Sequence, residues 1–271
     1  MAHNVWLPTQ FTRYERRIEK SSTRPSEIRT DAGIAFIKCL GNPEGPHVLA
    51  CEWIGTRVAA LLGLQTLDFA ILRLTDDDVP FDGGKEEAGP AFVTRLEQGE
   101  PWSGDRVELD DLGNPDDVAK LVVLDTYLLN WDRHSPDGSK LNKDNVFLSA
   151  EREPRSKPCL LAMDHTHVIS QGQEIDARVG HIDKCKDSRI YGLFDAFAPY
   201  ISADRAKVAV QCLSKITDSR ISEILGEVPS EWGVESVGMT ALRTFLRDRR
   251  AYLLETLYDN LYQQVGDKIW N

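Results

Sequence analysis

Short apolar runs separated by polar turns dominate the N-terminal part of the chain. Three of these runs are bounded by turn-forming residues and predict buried strands: residues 34–40, 67–74 and 91–96. Between the first two, apolar residues of segment 47–64 recur at helical spacing, and Gly63 marks the expected end of that helix. The segment 76–90 is polar and contains Gly83 and Gly84, so a surface loop is predicted there.

Helical periodicity replaces this pattern after residue 110. Asn114 and Pro115 form a helix-start signal, and the predicted helix runs on toward Trp131. The polar loop 130–145 follows, and two short apolar runs then predict a hairpin, at residues 146–148 and 158–163. Further helical segments are predicted in the remaining third of the chain: 188–198, 202–216, 220–225 and 239–264.

These elements predict an α+β fold with two lobes. A strand-rich N-terminal lobe would comprise residues 1–100, and a helical C-terminal lobe would comprise residues 101–271. The polar stretch 97–104, which contains Pro101, is the expected link between them. Because the predicted loops meet between the lobes, a functional cleft is expected there.

Composition limits the classes of partner. The 271-residue chain has a formal net charge of −11 and a pI near 5.1, which argues against direct nucleic-acid binding and against anionic membranes. The chain start shows no apolar signal segment, and no apolar stretch approaches the length of a membrane span. The five cysteines are scattered and odd in number, which favours reduced core thiols and a cytoplasmic location.

Three polar side chains each stand at the end of an apolar run, in an order typical of phosphotransferases. Lys38 lies at the end of the first predicted strand, Asp132 follows the long predicted helix, and Asp164 follows the second strand of the hairpin. Phosphoryl transfer needs a cation on the phosphates, a metal that bridges them, and an acid that orients the acceptor hydroxyl. We therefore predict that Lys38 binds phosphate and that Asp132 is the catalytic acid.

Asn145 and Asp164 flank the predicted hairpin, so they return to the same end of it. Both offer oxygen ligands, which suits Mg²⁺. Glu52, on the helix that follows the first strand, is predicted to pair with Lys38. Plainer alternatives are a lysine at a strand edge, a solvated helix glutamate and a turn aspartate. Zinc is a weaker alternative, because the spacing of the candidate ligands matches no strong zinc pattern: His165, His167, His181 and Cys185.

The hydroxyl-rich segment 19–26 is the candidate phosphate cradle. It contains Ser22 and Arg24 but no glycine, so it is neither a Walker A loop nor a G-x-G-x-x-G loop. Its backbone N–H groups could still face phosphate, and Arg24 could add charge. A turn that binds nothing is the alternative.

With these residues in view, the chain resembles the HipA-like kinases, and more narrowly their short, single-domain branch related to phosphatidylinositol kinases. The resemblance extends over about residues 19–232. It implies a bilobal, protein-kinase-like fold, with Lys38 as the phosphate-binding lysine and Asp132 as the catalytic aspartate. It places the metal ligands at Asn145 and Asp164. A hinge that binds adenine through its backbone is implied near Phe92, Val93, Thr94 and Leu96.

The chain departs from this family after the catalytic aspartate. Where the family usually has asparagine, this sequence has Asp137, and an insertion at 135–144 displaces the asparagine to Asn145, with Asn142 as a rival. The candidate phosphate loop also lacks the glycines common in relatives. These differences bear on the efficiency of transfer and on the acceptor.

The resemblance implies an ATP- and Mg²⁺-dependent kinase that acts on a protein serine or threonine, in a toxin-like or regulatory role, with an antitoxin-like regulator as a partner. A kinase for a lipid or small-molecule hydroxyl is one alternative, and the acidic composition disfavours a lipid. A pseudokinase, which binds a nucleotide or a partner without turnover, is another. Metal-dependent nucleotide binding without ATP consumption would distinguish it from the enzymes.

Overall fold

An antiparallel sheet of five strands forms the N-terminal part of the computed structural model, which describes residues 6–19 and 23–266. The strands are β1 (Phe11–Arg17), β2 (Ser26–Thr30), β3 (Gly33–Leu40), β4 (Phe69–Leu74) and β5 (Glu87–Arg95), in the order β1-β2-β3-β5-β4. The three predicted strands are confirmed. The sequence did not reveal β1 and β2, because both carry many charged residues and β1 is a half-exposed edge strand.

Alternation along β3 decides which side chains reach the cleft. Ala35, Ile37 and Cys39 lie in a small hydrophobic cluster on one face of the sheet. Phe36 and Lys38 point to the other face and line the cleft. The predicted helix is confirmed as α1 (His47–Leu62), and it ends at Gly63 with φ 81°.

A second sheet of three strands forms the other wall of the cleft. Its strands are β6 (Gly99–Pro101), β7 (Val146–Ser149) and β8 (Cys159–Ala162), in that order. The hairpin of β7 and β8 confirms the sequence prediction. The predicted link 97–104 thus contains the short edge strand β6. The sequence did not predict this strand, because it has only three residues and ends in proline.

Helices complete the C-terminal part. They are α2 (Arg106–Asp110), α3 (Asp116–Leu128), α4 (Ile182–Cys185), α5 (Ala203–Gln211), α6 (Asp218–Gly226) and α7 (Ser236–Leu261). The predicted helix over 188–198 is wrong: only a 3₁₀ turn occurs, at Asp195–Tyr200. Gly192 breaks the segment with φ 72° and sits so close to Asp125 that a Cβ there would lie 2.1 Å from its Oδ2.

The main hydrophobic core joins α1 to the C-terminal helices. Residues of α1, α3 and α7 belong to one buried cluster, so α1 is fixed against the C-terminal part as well as against the sheet. All five cysteines are buried and unpaired. Among the helices of residues 6–19 and 23–266, none has the length and apolar character needed to cross a bilayer.

Candidate active site

Two adjoining cavities open between the N-terminal sheet and the C-terminal part. The inner one has a volume of about 400 Å³ and is lined mainly by apolar side chains. The outer one has a volume of about 730 Å³ and contains Asp132. Both are lined by Ile18, Pro101 and Asp164, so Asp164 stands where they meet.

Lys38 connects the sheet to the C-terminal part at this meeting point. Its ammonium donates to Glu52 Oε1 and lies 3.4 Å from Asp164 Oδ1. Burial opposes the charge, but the carboxylates of Asp164 and Glu52 outweigh it and raise the pKa of Lys38 above its usual range. The lysine therefore carries a permanent positive charge in the cleft.

Glu52 projects from α1 and is 2% exposed. Its second oxygen, Oε2, accepts the backbone N–H of His165 at 2.9 Å. Gly55, one turn further along α1, permits this contact, because a Cβ there would lie 2.3 Å from the Cβ of His165. The pair of Lys38 and Glu52 is thereby tied to the segment that carries Asp164.

Asp164 leaves β8 in a left-handed backbone conformation, with φ 55°. Such strain in a non-glycine residue persists where the surroundings enforce it, and it is common at functional sites. Oδ1 accepts the Thr166 hydroxyl at 2.8 Å. Burial alone would raise the pKa of Asp164, but the Lys38 ammonium and the Thr166 hydroxyl hold that pKa well below its usual range.

Asp132 follows α3, which ends earlier than predicted because Leu129 adopts φ 53° and turns the chain into the cleft. One oxygen, Oδ2, accepts the side-chain amides of Asn145 at 2.8 Å and Asn142 at 3.1 Å. The other, Oδ1, lies 3.2 Å from the ammonium of Lys140. The rival asparagines of the sequence analysis thus both bind Asp132.

Arg133 is a residue of the site that the sequence analysis missed. It is 0% exposed and donates to the backbone carbonyls of Asn145 at 3.1 Å and Met163 at 2.5 Å. Its guanidinium also pairs with the buried carboxylate of Asp125 in α3. One side chain therefore fixes the candidate catalytic loop and both candidate metal-ligand segments. The available signal was Asp125, an acid inside an apolar helix.

His167, whose contacts with Glu44 and Asp132 were not predicted from the sequence, links the outer cavity to the loop before α1. Its Nε2 lies 3.2 Å from Glu44 Oε2, and its Nδ1 lies 3.9 Å from Asp132 Oδ2. Glu44 belongs to the segment between β3 and α1. The pair thus connects the N-terminal part to the candidate catalytic loop.

Asn145 and Asp164 form a donor set that fits Mg²⁺. The amide nitrogen of Asn145 is turned toward Asp132, which leaves its oxygen for a cation, and both residues line the outer cavity. Mg²⁺ commonly binds one or two protein oxygens together with water and substrate phosphates, so this pair suffices.

The residues considered for zinc do not come together. Within the described ranges 6–19 and 23–266, no group of three or more His, Cys, Asp or Glu side chains could hold a metal. His165 is fully buried, and burial together with the Arg133 guanidinium lowers the pKa of His165 to about 3. It is therefore a neutral core residue at physiological pH.

The predicted hinge divides into residues that line the inner cavity and residues that do not. Phe92 and Thr94 line it. Val93 packs into the cluster on the opposite face of the sheet, as strand alternation requires. Leu96 is 39% exposed, and its backbone N–H donates to Ile34. The structure therefore does not bring the Val93 and Leu96 side chains to the cleft.

The candidate phosphate cradle is the turn between β1 and β2. Ser22 lies outside the described residues. Arg24 lines a separate cavity with Ile37 and Cys39, which face away from Lys38. The structure thus does not bring Arg24 to the cleft, whereas Ile18 and Pro25, at the two ends of the turn, do line it.

Comparison with known proteins shows the fold. The proinflammatory kinase CtkA of Helicobacter pylori matches over 92% of this chain and 96% of its own, with a TM-score of 0.59 and 13% identity. A chain of the Shewanella oneidensis MR-1 toxin–antitoxin complex of HipA, HipB and operator DNA matches over 92% of this chain and 68% of its own, with a TM-score of 0.46 and 10% identity.

No protein-family profile and no curated protein sequence matches the chain. At such low sequence identity the structural similarity is evidence for the fold alone. The resemblance to HipA-like kinases inferred from the sequence is confirmed at that level: the chain has the bilobal α+β fold of the kinase CtkA.

Proposed function

We propose that this protein is an ATP- and Mg²⁺-dependent kinase that phosphorylates a hydroxyl group. The observation that carries the proposal is the contact of Lys38 with both Glu52 and Asp164 at the junction of the two cavities. This junction puts a permanent cation between an apolar cavity suited to a base and a polar cavity that holds a candidate catalytic acid. Burying one ammonium and two carboxylates is costly, and a role in phosphate binding explains why the chain keeps these charges in the cleft.

The inner cavity supports adenine binding. Three aromatic rings line it, from Phe36, Phe92 and Phe147, and a purine packs well against such surfaces. Within the described part of the chain, the backbone N–H and C=O of Glu97 have no hydrogen-bond partner, and Glu97 lines this cavity. We assign the backbone contacts to adenine to Glu97, directly after the hinge range inferred from the sequence.

The outer cavity supports transfer to an acceptor hydroxyl. The acceptor oxygen would form a bond to the γ-phosphorus as the bond from that phosphorus to the bridging oxygen of ADP breaks, and Asp132 would take the acceptor proton. Asn145 and Asp164 would hold Mg²⁺, which when bound neutralises phosphate charge. Lys38 would bind the phosphate oxygens of the donor.

A protein serine or threonine is the acceptor class that we favour. The outer cavity is wide and opens beside Lys140, which is 52% exposed, so a side chain on a protruding loop can reach Asp132. The net charge of −11 disfavours approach to an anionic lipid surface. An antitoxin-like regulator and a cytoplasmic location stay predictions from the sequence.

The test is incubation of the purified protein with γ-labelled ATP and Mg²⁺, alone and with a cell lysate and its lipids. We expect label on protein hydroxyls and loss of at least about 10²-fold of the transfer rate in Lys38→Met and Asp164→Ala. Lys85→Met is the matched control, because Lys85 is exposed in the loop between β4 and β5 and does not line either cavity of the cleft.

Each outcome separates the alternatives. Label found in lipid instead of protein would show that the acceptor is a lipid, while the protein would still be a kinase. Nucleotide binding without any transfer would favour the pseudokinase. Unchanged ATP affinity and transfer in a folded Lys38→Met protein would refute the assignment of the cleft.

A further inference from the structure

The insertion 135–144 folds into a defined turn beside the candidate catalytic acid. Ser135 is fully buried, its backbone N–H donates to the carbonyl of Lys140 at 3.0 Å, and its hydroxyl accepts the backbone N–H of Lys140 at 2.9 Å. A further backbone bond runs from Asn142 to the carbonyl of Arg133 at 2.9 Å. Ser135 thus holds both the backbone N–H and the backbone C=O of Lys140.

Asp137 closes this turn from within. Its Oδ1 accepts the hydroxyls of Ser135 and Ser139, each at 2.7 Å, and the backbone N–H of Ser139 at 3.0 Å. The aspartate that replaces the family's asparagine therefore serves to shape the insertion. The insertion in turn delivers two side chains, Lys140 and Asn142, to Asp132.

The two oxygens of Asp132 have different surroundings. Oδ2 accepts both asparagine amides, which occupy it. Oδ1 has Lys140 Nζ at 3.2 Å. A hydroxyl that hydrogen-bonds to Asp132 is therefore directed to Oδ1, and its oxygen comes next to the Lys140 ammonium.

We propose that Lys140 is a catalytic residue whose ammonium contacts the phosphoryl group during transfer. This inference rests on the proposed kinase function. As the acceptor oxygen bonds to the γ-phosphorus and the bond to the bridging oxygen of ADP breaks, negative charge is spread over the three outer phosphoryl oxygens. The acceptor proton passes to Asp132 Oδ1, which lowers the attraction between Asp132 and Lys140 and frees the ammonium for those oxygens.

The geometry gives Lys140 the required reach. Its side chain is 52% exposed, so it can turn on a fixed backbone without unfolding the turn. An ammonium has three donors, so one can remain on Asp132 while others reach a phosphoryl oxygen. The insertion thereby supplies a charge that acts where negative charge develops, instead of only lengthening a loop.

The experiment compares Lys140→Met, Lys140→Arg and the parent protein. Lys157→Met is the control, because Lys157 is similarly exposed at 48% and pairs with Asp111 outside the cleft. Three quantities are measured: the rate of transfer from labelled ATP, the affinity for ATP with Mg²⁺, and the affinity for ADP with aluminium fluoride. The last complex mimics the phosphoryl group in transit and reports on the contact without turnover.

We expect Lys140→Met to lower kcat by about 10²-fold, as for loss of one charge-stabilising donor, with less than about threefold change in ATP affinity. Its affinity for ADP with aluminium fluoride should fall in parallel with kcat, and Lys140→Arg should restore part of both. Lys157→Met should match the parent.

Other outcomes overturn the inference. Equal rates of transfer in Lys140→Met and the parent would support the kinase function and show that Lys140 has no catalytic role. A faster Lys140→Met would make the contact with Asp132 inhibitory. A parent that binds ATP without transferring phosphate would overturn the proposed function itself, and this inference with it.

Discussion

The two halves of the cleft are built in opposite ways. On the proposed donor side, Lys38 and Glu52 lie 14 residues apart, Asp164 lies 126 residues after Lys38, and the three form a buried network that crosses the cleft. On the acceptor side, Asp132, Lys140, Asn142 and Asn145 come from one continuous segment and surround an open, polar cavity. The first arrangement requires the complete fold, whereas the second is largely local.

This difference separates what is fixed from what can vary. A change in the donor network disturbs the packing of α1, β3 and the segment after β8 together, because each contributes one charged group. A change in the insertion 135–144 acts first on the solvent side of Asp132, where the insertion contributes Lys140 and Asn142. We infer that the donor is set by the fold and that the acceptor is set by the loop, as is common for sites on loops held by a rigid scaffold.

The largest effect is expected from the acceptor side. In the proposed mechanism Asp132 takes the acceptor proton, so Asp132→Asn should lower kcat by about 10²–10⁴-fold. ATP affinity should stay close to that of the parent, because the proposal assigns donor binding to Lys38 and the apolar cavity. Both are measured in the same buffer, by label transfer and by nucleotide titration. Equal transfer in both proteins would show that Asp132 is structural.

Arg133 lies beneath both halves and should couple them. Arg133→Met leaves the buried Asp125 without its positive partner and with only the Asn130 amide on its carboxylate, which should lower the free energy of unfolding by about 3–5 kcal/mol. Urea titration measures this, with Arg155→Met as the control, since Arg155 is 77% exposed and should change stability by less than about 0.5 kcal/mol. Adding Asp125→Leu to Arg133→Met should recover part of the loss. A loss no larger than that of the control would contradict the bridging role.

Gly55 tests the donor half alone. Gly55→Ala places a Cβ against His165, so α1 must shift and the free energy of unfolding should fall by about 1–3 kcal/mol. ATP affinity should fall as well, because the shift moves Glu52 away from Lys38. Gly226→Ala is the control, since that helical glycine has open space around it. If the two variants are equally stable, the close approach of α1 to His165 is not required.

His165 provides a smaller effect that depends on pH. Its folded pKa of about 3 lies below the ordinary value of 6.5, so the unfolded state binds the proton more readily. Its contribution to stability is complete above pH 6.5 and is lost as the pH falls toward 3. From pH 7.5 to 5.5 the parent should lose roughly 1.4 kcal/mol more than His165→Leu.

Urea titrations at the two pH values measure that difference. His181→Leu is the control, because the His181 side chain is 64% exposed and caps the short helix α4. The control should follow the parent at both pH values. Identical pH dependence in His165→Leu and the parent would show that another titratable group causes the loss of stability at low pH.

The sequence determined the elements that carry the candidate site, because these depend on local patterns. An apolar run ending near Lys38, helical spacing around Glu52 and a hairpin before Asp164 are short-range signals, and the structure has the strand, the helix and the hairpin in those places. Strands rich in charged residues carry no such signal, so β1 and β2 were not predicted. The false helix at 188–198 arose because Gly192 is required by its contact with Asp125, far away in sequence.

Only the tertiary structure decided how the site is connected. The guanidinium of Arg133 binds Asp125, Asn145 and Met163, and no local pattern identifies such partners. Strand alternation turns the Val93 side chain away from the cleft, and Arg24 lines a separate cavity, although both lie in segments selected by motif. Buried charges find partners wherever the folded chain brings them, since an unpaired charge inside the protein is too costly to persist. Sequence thus specifies which residues carry charge and which elements bear them, and the packing of distant elements decides which charges meet.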